Sequence, residues 1–292
     1  MQLTNYTLYH ENKSHTSSEF PYNTYLCSIP LDFRSVKLHW HEEAEIIVIK
    51  KGEGIVSVDL TEYHVQTGDI IFVMSGQLHS IAQFENSSME YENILFKPRL
   101  LKADRTDLCW ESFLSPLLTS TVSIPAVYRA GSALYPTLSA HILAIDTLCD
   151  KKPLGYQLAV KGYLFLMFYA LSSEGISTPL PDRKRLEKLK AVISYVEEHY
   201  AQPITIEEMA ALCYFSKSYF MKFFKESMGM SFVTYLNDYR LEAAAKLLPI
   251  TDDNVLDIAN ACGFDNLSYF NRSFKKKYGI TPGKYRTQRI LC

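Results

Sequence analysis

An internal repeat near the C-terminus limits most tightly what this chain can fold into. MAALCYFSKSYFMKFFKESMGMSF, from Met209, lies over IANACGFDNLSYFNRSFKKKYGITP, from Ile258. Ala210 matches Ala259, Cys213 matches Cys262 and Phe215 matches Phe264, at an offset of 49 residues. After one inserted residue, Ser218-Tyr219-Phe220 matches Ser268-Tyr269-Phe270, Phe224-Lys225 matches Phe274-Lys275 and Gly229 matches Gly279, at an offset of 50. Self-similarity over such a stretch marks one supersecondary unit used twice.

Each copy has the pattern of a helix, a short turn and a second helix. In the first, Thr205-x-x-Glu208 is a capping box, in which side chains satisfy the free N–H groups of a helix start. A helix over about 206–213 would bury Met209, Ala210 and Cys213. Ser216 can cap a second helix, whose Phe220, Phe223 and Phe224 share one face at i, i+3, i+4 spacing. Its other face carries Lys217, Ser218, Met221, Lys222 and Lys225. In the second copy Gly263 can take the positive φ of a tight interhelix turn, and Asp265 or Asn266 can cap the next helix. Phe270 and Phe274 point inward, which leaves Asn266, Ser268, Asn271, Arg272, Lys275 and Lys276 outside. The two units span about 206–228 and 255–278.

Such an outer face fits a DNA major groove. Arg can donate two hydrogen bonds to guanine, Asn can pair with adenine, and Lys and Ser bind phosphates. A single copy would be read equally well as a helix pair with a solvated face; two copies with polar, basic second helices favour double-stranded DNA as partner. The connector Ser231–Leu248, SFVTYLNDYRLEAAAKLL, reads as a helix ended by Pro249. Its 18 residues would span about 27 Å, long enough to help hold two reading helices about one DNA turn, ~34 Å, apart.

The segment Gly263-Phe264-Asp265-Asn266-Leu267-Ser268-Tyr269-Phe270-Asn271-Arg272-Ser273-Phe274-Lys275-Lys276-Lys277-Tyr278-Gly279-Ile280-Thr281-Pro282 resembles the DNA-binding domain of the AraC/XylS family of bacterial regulators. The resemblance covers about 190–290 and implies seven helices, the third and sixth entering DNA, here about 217–227 and 266–277. It also implies a homodimer, and RNA polymerase as a further partner if the protein is an activator. The first copy departs from the second in having Tyr214 where Gly263 stands.

Charge distribution agrees. The chain has a net charge of −2. From Arg183 onward, however, 17 basic residues face 12 acidic ones, an excess of +5, while residues 1–182 hold 13 against 20, or −7. A polyanion would therefore meet the C-terminal part. At 292 residues two domains are expected: a sensing and dimerisation domain over 1–175, a linker over 176–189 marked by Gly175, Pro179 and Pro181, and the DNA-binding domain over 190–292. The fold class is α+β.

Residues 20 to about 97 are rich in Tyr, Phe, Ile and Val. They read as strands joined by tight turns at Lys51-Gly52-Glu53-Gly54 and Thr67-Gly68-Asp69, giving a barrel or sandwich. His39, His41 and Glu45, followed by His79, resemble the two signature segments of a cupin barrel, in which such residues converge inside. Such a set can bind a divalent metal, so a metal-dependent cupin enzyme fused to a DNA-binding domain is the alternative function. AraC-type regulators carry similar barrels as small-molecule sensors without catalysis. His39, His41, Glu45 and His79 are therefore assigned to effector contact, with no catalytic group, metal or cofactor. A structural role at the barrel mouth is an equal reading, and a constitutive DNA-binding protein with an inert barrel is a third function. Tyr22, Tyr25, Phe33 and Trp40 would suit stacking on a carbohydrate effector, or would fill the core.

Helices are expected between about 131 and 173, with Leu138, Ile142, Ile145 and Leu148 as a stripe for dimerisation or for packing on the barrel. The apolar window Leu154–Leu171 contains Gln157, Lys161 and two glycines, which suits a buried or interface helix better than a membrane span. The N-terminus lacks the pattern of a signal peptide, and the six cysteines include no C-x-x-C pair. A cytoplasmic protein with reduced thiols is expected.

Overall fold

The computed structural model describes residues 19–103, 106–173 and 182–290. The hinge residues Gly175, Pro179 and Pro181 fall outside them. The chain divides into two compact units, the first ending at Arg183 and the second beginning at Lys184.

The first unit is a cupin-like arrangement of antiparallel strands: β1 (Tyr22–Ile29), β2 (Ser35–His39), β3 (Ala44–Val58), β4 (Thr61–Gln66), β5 (Ile70–Val73), β6 (His79–Gln83), β7 (Met89–Phe96) and β8 (Val127–Tyr128). One path runs β1-β7-β3-β5-β8, and β2, β6 and β4 join through the far half of β3. β3 thus serves both halves. Residues up to Gly52 pair with β7, and Glu53–Val58 pair with β4.

This corrects the reading of Lys51-Gly52-Glu53-Gly54 as a turn between strands. The strand continues through it and bends. The register with β7 shifts between Ile49 and Lys51, and Gly52 has φ +76°. A positive-φ glycine in a bulge kinks a strand without ending it, which lets one strand cross from one half to the other. Thr67-Gly68-Asp69 does form the turn between β4 and β5.

Alternation along β3 sends successive side chains to opposite faces. Ala44, Ile46 and Val48 join the cluster beneath the helices, with Phe72 and Phe96. Ile47 and Ile49 join the barrel interior, with Val56, Val65, Ile71, Val73 and Ile81. The same alternation turns Glu45, between Ala44 and Ile46, to the interior face. After β7 come a 3-10 turn (Pro98–Leu101), a π-type turn (Trp110–Leu114) and a short helix, α1 (Ser115–Leu118), before β8. No sequence signal marked β8.

Helices α2 (Tyr135–Lys151) and α3 (Tyr156–Ser173) cover the sheet. Leu138, Ile142 and Ile145 are fully buried in the cluster with Phe72 and Phe96, and Leu148 packs against it. Packing on the barrel therefore occupies the stripe, which is not free for dimerisation. Tyr22 is in the same cluster, where the Cys149 thiol donates to its hydroxyl at 3.7 Å. It faces the helices, not the barrel interior. Among the described residues no helix is long and apolar enough to cross a membrane.

The second unit is helical: α4 (Arg183–His199), α5 (Ile206–Leu212), α6 (Lys217–Met228), α7 (Phe232–Leu247), α8 (Val255–Ala261), α9 (Leu267–Tyr278) and α10 (Pro282–Ile290). Its two helix-turn-helix units are α5–α6 and α8–α9. The capping box forms, with Thr205 Oγ1 accepting from the Glu208 N–H at 3.2 Å and Glu208 Oε2 accepting from the Thr205 N–H at 2.7 Å. Phe220 packs on Phe232 and Phe224 on Tyr235. In the second copy Phe264, Phe270 and Phe274 are buried with Ile258, Ala259, Cys262 and Leu248.

The turn between helices has the same geometry in both copies. The Phe215 N–H donates to the Ala210 carbonyl at 2.8 Å and the Phe264 N–H to the Ala259 carbonyl at 3.0 Å. Tyr214 has φ +56° and Gly263 φ +84°. A Cβ on Gly263 would come within 2.9 Å of the Tyr200 carbonyl oxygen, so space as well as φ demands glycine there. Tyr214 is 92% exposed and bears only the φ strain, about 1–2 kcal/mol for a non-glycine residue. Tyr214→Gly is expected to stabilise the second unit by about 0.5–1 kcal/mol after the entropy cost of glycine in the unfolded chain. Gly263→Ala is expected to destabilise it by about 2 kcal/mol or more. Urea unfolding of the two variants checks both signs.

Candidate nucleic-acid interface and buried histidine cluster

Local chemistry starts and stops both outer helices. The Tyr219 N–H donates to Ser216 Oγ at 3.3 Å, and the Tyr269 N–H donates to Asn266 Oδ1 at 2.8 Å. Gly229 (φ +68°) and Gly279 (φ +78°) end them in the left-handed region. The phenylalanines pull one face into the core, and the opposite face is presented by default. On α6, Lys217, Ser218, Met221, Lys222 and Lys225 are all exposed. At α9, Asn266, Ser268, Arg272, Lys275 and Lys276 are exposed and Asn271 is half-buried.

These side chains are not equally available. Asn266, which caps α9, has its carbonyl oxygen engaged by the Tyr269 N–H. Lys217 Nζ lies 2.5 Å from Glu207 Oε1, and Lys222 Nζ 3.9 Å from Glu226 Oε1. Both pairs are exposed and of little energetic weight. The side chains of Arg272, Lys275 and Lys276 make no ion pair or hydrogen bond among the described residues. Lys277, by contrast, turns inward and donates to Glu242 Oε1 at 2.8 Å and to the Asp238 carbonyl at 3.1 Å, tying α9 to α7. The cluster Arg272, Lys275 and Lys276 sits toward the C-terminal end of α9, where the helix dipole favours cations.

Two residues on this surface escaped the sequence reading. Tyr219 is 55% exposed and Tyr269 43%, and each is the third residue of its helix. Their signal was present in the matched Ser-Tyr-Phe triplets, where the neighbouring Phe drew the pattern inward. Asn237 Nδ2 donates to the Tyr269 hydroxyl at 3.1 Å.

In the first unit the fold brings His39, His41, Glu45 and His79 together. His39 ends β2, Glu45 lies on β3 and His79 begins β6. Ring centroids are 4.0 Å apart for His39 and His79, 4.9 Å for His41 and His79, and 5.6 Å for His39 and His41. Every Nδ1 lies against backbone oxygen: His39 on the Lys37 and His79 carbonyls at 2.9 and 3.1 Å, His41 on that of Glu43 at 3.0 Å, and His79 on that of Gln77 at 3.0 Å. A carbonyl only accepts, so each Nδ1 carries the hydrogen. Glu45 Oε2 stands 3.1 Å from His41 Nε2 and 3.0 Å from His79 Nε2.

His41, His79 and Glu45 are buried. Burial pushes the Glu45 carboxyl up, but the hydrogen bond with His41 and the close approach of His79 Nε2 outweigh it and hold the acid well below the usual range. Burial pushes His41 down, and the Glu45 carboxylate overcomes this and raises it. Burial, with the His79 and His41 rings close by, lowers His39 well below its ordinary value. Of the expected stacking aromatics, Tyr25 and Phe33 pack against the interior cluster, while Tyr22 lies on the other side of the sheet.

Comparison with known proteins covers both units. Residues 209–288 match the model of a helix-turn-helix domain, and residues 31–141 match that of the AraC-like ligand binding domain. The chain is 25% identical over 280 residues to the uncharacterized HTH-type transcriptional regulator YdeC of Bacillus subtilis (strain 168), covering 94% of this chain and 95% of that one. It is 27% identical over 260 residues to the HTH-type transcriptional activator RhaR of Pectobacterium atrosepticum, covering 87% of each. A crystal structure of a probable AraC family transcriptional regulator from Rhodopseudomonas palustris is 32% identical, with 35% of this chain and 96% of that chain covered and a TM-score of 0.34.

Proposed function

Because the chain belongs to the AraC family of transcription regulators, we propose that it binds a specific DNA operator through α6 and α9 together, under control of a small-molecule effector held by the N-terminal barrel. The observation that carries this is the duplicated unit with matching caps, matching cores and two exposed polar faces. α7, with 16 residues, measures about 24 Å along its axis, a length that suits two helices in successive major grooves. Base contacts fall to Arg272 and Asn271, and phosphate contacts to Lys217, Ser218, Lys222, Lys225, Ser268, Lys275 and Lys276. Met221 supplies apolar contact, and Asn266 contributes through its amide nitrogen.

The effector is proposed to be a carbohydrate, in keeping with the sensor barrels that this one resembles. It acts by binding one arrangement of the molecule better than another. The chain acts in the cytoplasm as a regulator without catalysis, and as an activator it would also contact RNA polymerase. A thermal-shift screen led by sugars, run beside fluorescence anisotropy on the gene's own upstream DNA, tests both halves. No selective binding to that DNA over scrambled duplex would sink the operator assignment, and no shift with any metabolite would leave a constitutive binder.

A homodimer is proposed through the outer face of α3 instead of the buried stripe on α2. Leu158, Phe165, Leu166 and Tyr169 are exposed there, with Leu143 on α2, and an apolar patch of this kind is a protein-binding signal. Phe165→Glu is expected to convert the dimer to monomer in light scattering, with the barrel still folded. A variant that stays dimeric at micromolar concentration would refute this face.

A further inference from the structure

In the run Lys275-Lys276-Lys277 the first two side chains are exposed and the third is half-buried. Lys277 Nζ donates to Glu242 Oε1 at 2.8 Å and to the Asp238 carbonyl at 3.1 Å, and stands 3.4 Å from Asp238 Oδ1. The Lys277 and Glu242 side chains are 21% and 18% exposed, so this pair is less screened than the exposed pairs of α6. To reach a phosphate, Lys277 would first have to leave two carboxylates. Glu242 poses the complementary question. A carboxylate near a polyanion opposes its binding, so electrostatics alone would favour its absence from beneath a DNA-reading helix.

The α7–α9 junction has a second polar contact, from Asn237 Nδ2 to the Tyr269 hydroxyl at 3.1 Å. Tyr269 and Lys277 are eight residues apart, about 12 Å along α9. One contact leaves a helix free to pivot, whereas two at that separation fix its angle. The first copy repeats the device with other residues. Ser227 stands where the offset of 50 places the counterpart of Lys277. Arg185 of α4 donates to Ser227 Oγ through Nε at 3.2 Å and through a terminal nitrogen at 3.1 Å. Each outer helix is thus held near its C-terminal end by the long helix that precedes its unit.

We propose that Lys277 is a positioning residue for DNA recognition: held by Glu242 and Asp238, it sets the angle at which α9 presents Asn271 and Arg272, and it contacts no phosphate. This rests on the proposed operator binding through α6 and α9. It divides the basic run by role, with Lys275 and Lys276 serving the DNA and Lys277 serving the helix.

Glu242→Gln in the full chain is the decisive variant, because the two roles predict opposite signs. Anisotropy is read on a duplex from the gene's own upstream DNA and on a scrambled duplex of the same composition, at several salt concentrations. Loss of positioning should weaken binding to the upstream duplex roughly 3- to 10-fold. Binding to the scrambled duplex should be unchanged or tighter, and the salt slope should stay the same, since no phosphate contact is removed. Lys277→Gln should show a similar selective loss, and the double variant should be no weaker than the weaker single one, because both break one restraint. Lys277→Arg, which keeps the cation, should retain selectivity. Circular dichroism at the assay temperature checks folding. Asp238→Asn, which leaves the Glu242 bond in place, gives the same test at smaller amplitude if a glutamine variant unfolds.

Undiminished or tighter binding of Glu242→Gln to the upstream duplex overturns the proposal. So does an equal loss on both duplexes for Lys277→Gln with the salt slope reduced by about 1, the mark of a phosphate contact. A wild-type chain that does not prefer the upstream duplex removes the operator reading and this inference with it. A selective wild type with an equally selective Glu242→Gln variant removes this inference alone.

Discussion

Arg272→Ala is expected to weaken operator binding by roughly 1–3 kcal/mol, about 5- to 150-fold, and to relax selectivity at one base pair. The size follows from the position. Arg272 is exposed on α9 and held by no ion pair or hydrogen bond among the described residues, so nothing within the protein has to be broken before it reaches a base edge. A bidentate arginine–guanine contact has no substitute in alanine. Lys222→Ala should behave differently. Its ion pair with Glu226, at 3.9 Å and exposed on both sides, barely restrains it, and its loss should weaken binding to all sequences alike and reduce the salt slope by about 1. Anisotropy titrations at several salt concentrations, on operator and scrambled duplex, separate the two behaviours. Full affinity and selectivity in both variants would remove α6 and α9 from the interface.

Gly52→Ala is expected to cost the barrel roughly 2–5 kcal/mol, the sum of left-handed strain and overpacking. The added Cβ would stand 1.8 Å from the Ser88 carbonyl oxygen and 2.9 Å from its carbon. Both atoms are backbone, so no side chain can turn aside, and β7 would have to move. Gly52 is where β3 crosses from one half of the sheet to the other, and displacing it disturbs the ladders on both sides. Calorimetry should show the first unit's transition lowered by roughly 5–20 °C. A fall of less than 2 °C would mean that the bend can be made without a glycine.

The helix-turn-helix half was legible because its determinants are local. Thr205, Ser216 and Asn266 act on backbone groups three residues away, and Phe220 with Phe224 or Phe270 with Phe274 needs only helical spacing. The barrel was legible in kind but not in detail. The Gly52–Gly54 stretch reads as a turn, since a positive-φ glycine serves a turn and a bulge equally, and only the partners β4, β6 and β7 tell which. The stripe Leu138, Ile142 and Ile145 was visible by its period, but period alone does not say whether a sheet or a second subunit covers it. Tyr22 could be read as stacking on an effector or as core, and its strand parity decides for the core on the helix side of the sheet. The two-residue β8 lies below any pattern's length.

By itself the sequence determined the repeat, its caps, its apolar cores and hence its exposed basic faces, because each depends on contacts within a few turns of chain. It also supplied the four groups His39, His41, Glu45 and His79. Only the tertiary structure decided that they meet, since His79 stands 40 residues from His39 and comes to it through the pairing of β2 with β6 and of β6 with β3. The backbone carbonyls that orient the rings, and with them the direction of each Nε2, exist only once those strands are in register.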